Sequence, residues 1–204
     1  TWRRAGMFLH GTMENGNYAL DVFSSHMKAL KLNSNQLDGQ HLLELGPGDS
    51  IASAVIGASY GAVVTMVDSG DFASEDVNNY FKLADSLSEI EGGSVDLQNS
   101  RSRTDILKVC GGRYFTNGLA SLKSIESESI DGIYSHAVLE HIPLSQFKNM
   151  FVECYRVMKP GSYASHRVDL RDHLGGSINH LRFSEAVWES KFFSESGFYT
   201  NRLQ

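Results

Sequence analysis

The chain has 204 residues, 41% of them hydrophobic, enough apolar material for one substantial core and too little length for two full domains. Its 18 lysines and arginines stand against 24 aspartates and glutamates, a formal net charge of -6; nucleic-acid phosphates demand clustered base, so no nucleic acid is expected as a partner. No apolar run reaches the roughly 18 residues of a membrane span, and Cys110 and Cys154 have neither metal-ligand spacing nor a disulfide framework, which points to a cytoplasmic protein with two core thiols.

Residues 1–17 carry Gly6, Gly11 and Gly16 in a mixed background and read as an irregular arm. Over 18–32 the apolar residues Leu20, Phe23, Met27 and Leu30 recur at helical spacing, so residues 1–40 divide into an arm and an amphipathic helix that either covers the site or packs on the sheet edge. An apolar strand at 41–45 runs into Gly46-Pro47-Gly48-Asp49-Ser50, a glycine turn that opens a small-residue helix over 50–60. A second strand at 62–67 ends in Asp68. A carboxylate at that place is where nucleotide-binding folds hold ribose hydroxyls, so the ligand is expected to contain adenosine.

The turn narrows the ligand. A dinucleotide fingerprint needs a third glycine beside the pyrophosphate, and Ile51 stands there instead. Glu44, two residues before the first glycine, would repel a phosphate but attract a cation. S-adenosylmethionine carries an ammonium, a sulfonium and no phosphate. The run Glu44-Leu45-Gly46-Pro47-Gly48-Asp49-Ser50 resembles the first motif of the class I S-adenosylmethionine-dependent methyltransferases, an acidic residue followed by Gly-x-Gly-x-Gly, with Ser50 at the last glycine. The resemblance implies S-adenosylmethionine as cofactor, contacts from Glu44, Gly46, Gly48 and Ser50, and Asp68 on the ribose. A nicotinamide-dependent oxidoreductase and a noncatalytic S-adenosylmethionine-binding protein remain open beside it.

Further on, 72–87 shows a helical pattern, 88–103 is a serine-rich loop, 104–110 a short helix and 113–116 a third strand. After that strand the resemblance sets Asn117 against the adenine amino group and the backbone of Gly118 and Leu119 beside the ring; turn chemistry explains Asn-Gly equally well. A fourth strand at 129–135 precedes Leu139-Glu140-His141-Ile142, similar to a run in small-molecule methyltransferases. It implies that Ser135 and His136 line the methionine arm, and leaves His141 as either a base or a loop-holding histidine. A helix at 144–158 stops at Lys159-Pro160-Gly161, and 162–168 is strand five. This alternation predicts an α/β fold: a Rossmann-like, doubly wound, mainly parallel sheet flanked by helices in three α/β/α layers, with 41–204 as the methyltransferase domain and ligands at the carboxyl ends of the strands.

The segment 165–183 gathers His166, His173, His180, Asp169, Asp172 and three arginines directly after strand five. Either these charges satisfy one another in a structured loop, or His166, His173 and Asp169 position and deprotonate an acceptor. Asp169, Asp172 and His173 would suit a divalent ion, but their spacing is not diagnostic and no metal is assigned. One helix is expected at 184–193 and at most one strand at 197–204, so the chain is read as lacking the family's closing antiparallel strands. The expected activity is methyl transfer to an oxygen or nitrogen of a small polar or sugar-bearing acceptor.

Overall fold

A computed structural model describes residues 12–90, 92–171, 176–194, 196 and 199–202. Helix α1 (Gly16–Ala29) leads, capped by Asn15, whose side chain accepts from the amide of Tyr18. There follow β1 (His41–Leu45), α2 (Ala52–Ser59), β2 (Val63–Val67), α3 (Val77–Ser88), α4 (Arg103–Val109), β3 (Arg113–Phe115), α5 (Leu119–Lys123), β4 (Ile130–His136), α6 (Leu144–Val157) and β5 (Met158–Arg167). Two short helices, α7 (Glu185–Trp188) and α8 (Lys191–Ser194), come last. The sheet order is β3-β2-β1-β4-β5 with every pairing parallel. Strand order therefore reverses between β1 and β4, which opens a crevice above their carboxyl ends.

Alternation along the strands divides the core in two. Leu42, Val64, Met66 and Tyr134 face α1 to α4, whereas Leu43, Leu45, Val67 and Ile133 face α5 and α6. The result is the expected three-layer α/β/α fold. Cys110 and Cys154 are buried one in each core, and burial pushes both thiols up to about 12. At the amino ends of the strands, Asp131 accepts from the His41 amide (2.9 Å) and from Lys159 Nζ (2.7 Å), tying β1, β4 and β5 together.

Several boundaries differ from expectation. Helix α3 starts at Val77, because the Asp76 carboxylate caps it through the Asn78 amide while Tyr114 holds the Phe72 amide outside. Strand β5 begins directly after α6 and takes in Pro160 and Gly161, with a register irregularity opposite Ile130 and Gly132; proline is tolerated at such an edge. The single helix expected over 184–193 is broken in two. Trp188 and Phe193 stack with centroids 4.8 Å apart, and five residues along one helix would separate them by roughly 140° around its axis. Residues 199–202 form no strand. No described helix is long and apolar enough to cross a membrane.

Candidate active site

The crevice is built on the glycine turn. Gly46 (φ 65) and Gly48 (φ 71) both adopt the left-handed backbone region. At Gly46 a side chain is also excluded by space, since a Cβ would lie 2.5 Å from Val138 Cγ2 of the loop after β4. The Gly46 amide donates to Val67 O (2.8 Å) and the Gly48 amide to Asp68 Oδ2 (3.2 Å). Asp68 in turn donates its amide to Phe115 O (2.8 Å) and accepts the Gly118 amide at its carbonyl (2.7 Å). One continuous backbone system thus joins the ends of β1, β2 and β3 and brings Gly46, Gly48, Asp68 and Gly118 around one opening. Asn117 is exposed at its rim, and half-buried Leu119 opens α5. Ser50 is buried, and its hydroxyl accepts the Ala52 amide (3.1 Å), so it secures the turn.

Glu44 lies beneath this opening. It is 2% exposed, and its Oε2 has no hydrogen-bond partner among the described residues. Burial raises its pKa to about 7; Ser53 and the Tyr134 hydroxyl favour the charged form, and the nearby Asp68 charge opposes it. The Tyr134 hydroxyl lies beside Glu44 in register on β4 and is likewise buried. An unmet buried polar group costs about 1–3 kcal/mol, which makes Glu44 Oε2 the least satisfied atom beneath the turn.

At the ends of β4 and β5 the alternation separates the histidines. His136 and Ser165 face α1, whereas Ser135 and His166 face α6. On the α1 side, Tyr18 Oη lies 3.4 Å from His136 Nε2, His136 Nδ1 lies 3.3 Å from His26 Nε2, and His26 Nδ1 lies 2.8 Å from Ser165 Oγ. Burial, reinforced by His136, His166 and Arg167, lowers the His26 pKa to about 4. Burial and Arg167 lower that of His136. His166 hydrogen-bonds Ser135 Oγ through Nδ1 (2.8 Å), its Nε2 is buried without a partner among the described residues, and its ring meets Phe151 edge-on at 5.9 Å. Burial lowers its pKa as well.

Of the expected His166, His173 and Asp169, the first and last are described and make separate contacts. The Asp169 carboxylate takes Arg171 Nε (3.0 Å) and Nη2 (2.8 Å), and its amide donates to Glu140 Oε1 (3.1 Å). His173, like Asp172, lies outside the described residues. His141 donates or accepts through Nδ1 at the Tyr199 carbonyl (3.0 Å), and since a carbonyl only accepts, His141 is the donor and holds the loop. Sequence reasoning missed Tyr18, His26 and Ser165. The available signal was His26 itself, a titratable residue set between Phe23 and Met27 on the buried face of α1.

The methyltransferase domain family matches residues 43–165 of the chain. Among solved structures, phosphoethanolamine N-methyltransferase 2 of Haemonchus contortus, in complex with phosphomonomethylethanolamine and S-adenosylhomocysteine, is 18% identical, with a TM-score of 0.50 over 88% of this chain and 33% of that one. An S-adenosylmethionine-dependent methyltransferase from Archaeoglobus fulgidus is 14% identical, with a TM-score of 0.43 over 74% of this chain and 54% of that one. The geranyl diphosphate C-methyltransferase of Streptomyces coelicolor is 12% identical, with a TM-score of 0.43 over 73% and 44%. The chain spans about a third of the length of the Haemonchus enzyme. No curated protein matches the sequence.

Proposed function

We propose, from the premise that this chain belongs to the methyltransferase domain family, that it is an S-adenosylmethionine-dependent methyltransferase acting on an oxygen or nitrogen of a small polar or sugar-bearing acceptor. The observation that carries this reading is the Gly48–Asp68 contact at 3.2 Å directly beside the buried, half-satisfied carboxylate of Glu44. Those groups suit a ligand with a sugar at one end and a positive charge at the other. A pyrophosphate would meet Glu44 as a like charge. Ile51, fully buried, fills the position where a nicotinamide dinucleotide fold needs its third glycine.

When bound, S-adenosylmethionine supplies a methyl group on a cationic sulfur and departs as S-adenosylhomocysteine. Asp68 accepts from the ribose, Asn117 and the Gly118–Leu119 backbone border the adenine, and Glu44 compensates the cationic end. Ser135 and His136 flank the methionine arm. Tyr18, His136 and exposed Arg167 form the polar side on which the acceptor is held, and His136 Nε2 receives its proton. Asp169, paired with Arg171, follows on the strand-five side, and His166 braces β4 from beneath through Ser135. Alignment of acceptor and donor can supply roughly 7–11 kcal/mol of the barrier, and a general base a further 10²- to 10⁴-fold, by order of magnitude.

Calorimetric titration of the full chain with S-adenosylhomocysteine, and in parallel with NADH, tests the reading. Binding of the first alone is expected. A folded sample that gives heat only with NADH, or with neither, removes it.

A further inference from the structure

Four side chains from α1, β4 and β5 form one unbroken run of hydrogen bonds, Tyr18 to His136 to His26 to Ser165. A neutral imidazole has one donor and one acceptor nitrogen, so the protons of the whole run point in one direction or the other together. If they point toward Tyr18, His136 Nε2 carries a hydrogen. If they point toward Ser165, the same nitrogen is a lone pair.

The phenol decides between the two arrangements. A phenolic O–H is a stronger donor than a neutral imidazole N–H, and an imidazole nitrogen is a stronger acceptor than a phenol oxygen. The best use of the Tyr18–His136 contact is therefore Tyr18 donating to Nε2. That places the His136 proton on Nδ1, where it donates to His26 Nε2. His26 then carries its own proton on Nδ1 and donates to Ser165 Oγ, a hydroxyl that accepts as readily as it donates.

We propose that His26 and Ser165 are positioning residues that hold His136 in its Nδ1–H tautomer, with the Nε2 lone pair turned toward Tyr18 and the acceptor side of the crevice. The surroundings agree. The titratable and charged groups around His26 are His136 and Tyr134 from β4, Arg167 from β5 and, acting from the other face of the sheet, His166, and none of them favours a cation there. His26 accordingly stays a neutral acceptor for the Nδ1–H of His136, including when Nε2 takes up a proton. Parallel register holds the geometry, since Tyr134 and His136 lie beside Ser165 and Arg167 in the sheet. The use of that lone pair as a base rests on the function proposed above, whereas the tautomer does not.

Ring-nitrogen NMR of the full chain at neutral pH reads the tautomer directly, with the His136 signals identified by their loss in His136→Gln. Wild-type His136 is expected to be protonated at Nδ1. In His26→Leu the acceptor is gone, and the Nδ1–H form should fall from dominant to minor. His26→Gln, whose amide oxygen can still accept, should retain it. A wild-type His136 protonated at Nε2 overturns the proposal, as does a His26→Leu variant that keeps the wild-type backbone spectrum and an unchanged Nδ1–H population. Should His26→Leu fail to fold, the wild-type and His26→Gln spectra decide alone. Absence of S-adenosylhomocysteine binding together with an Nδ1–H His136 would remove the methyltransferase reading and leave the tautomer lock standing.

Discussion

The amide of Gly48 and the carboxylate of Asp68, 20 residues apart in the chain, meet at 3.2 Å. The contact pins the glycine turn to the end of β2, so that one carboxylate both shapes the turn and borders the ligand opening. Asp68→Ala removes both roles. Hydrogen bonds to a charged group are worth about 1.5–3 kcal/mol, so calorimetric affinity for S-adenosylhomocysteine should fall by roughly tenfold to a hundredfold. Asp68→Asn, which keeps an accepting oxygen, should lose less. Equal affinity in all three proteins would take Asp68 out of the site.

Glu44 makes stability depend on pH. Its folded pKa of about 7 lies above the ordinary 4.5, so the folded state holds the proton more tightly than the unfolded state. The associated stability is full below about pH 4.5 and is lost as pH rises to about 7, a change on the order of 3 kcal/mol. Glu44→Gln should erase that slope and be the more stable protein above pH 7. Denaturant titrations across this range check it, and parallel curves would clear Glu44 of the effect. His26 acts in the opposite direction: its pKa is lowered from 6.5 to about 4, so its contribution is present above 6.5 and is lost as pH falls through 4.

Gly46→Ala introduces two separate faults. The left-handed φ of 65 costs a residue with a Cβ roughly 1–2 kcal/mol, and the new atom lands 2.5 Å from a Val138 methyl. Loss of stability should exceed the backbone cost alone. In the Gly46→Ala/Val138→Ala protein the steric part should be relieved, so that the two substitutions together destabilise by less than the sum of each alone. Strict additivity in chemical unfolding would show that Val138 does not press on the turn.

Asn201 holds the loop that follows β4. Its Nδ2 donates to Leu139 O (2.6 Å) and Ile142 O (2.9 Å), while its amide donates to Glu140 O (2.5 Å). Asn201→Asp keeps the size, removes the side-chain donors and leaves two carbonyls to find other partners. A loss of about 1–3 kcal/mol is expected in thermal or chemical unfolding, with Asn201→Ala close to it. A variant as stable as wild type would mean that residues 199–202 do not anchor the loop.

What could be read in advance was what neighbouring residues decide among themselves. That Glu44, Gly46, Gly48 and Asp68 gather at one turn could be read because strand, turn and strand follow one another within a few residues, and the apolar stripe of α1 announced a helix for the same reason. Cys110 and Cys154, plain core thiols on paper, are plain core thiols in the fold. The boundary at Asp76 and the break between α7 and α8 were hidden, since a capping carboxylate and an aromatic stack each outweigh a weak helical pattern.

The histidine run was hidden more deeply. His26 lies 110 residues from His136 and 139 from Ser165, so no local stretch of sequence joins them. That His136 turns to α1 while His166 turns to α6 follows from strand register, which no stretch of sequence carries alone, because side chains alternate faces at every step. Local spacing along the chain is enough to establish a parallel α/β sheet with a glycine turn and a strand-end acid. Packing of α1 on the sheet and the pairing of β4 with β5 choose which titratable groups meet, since those contacts exist only once distant segments have docked.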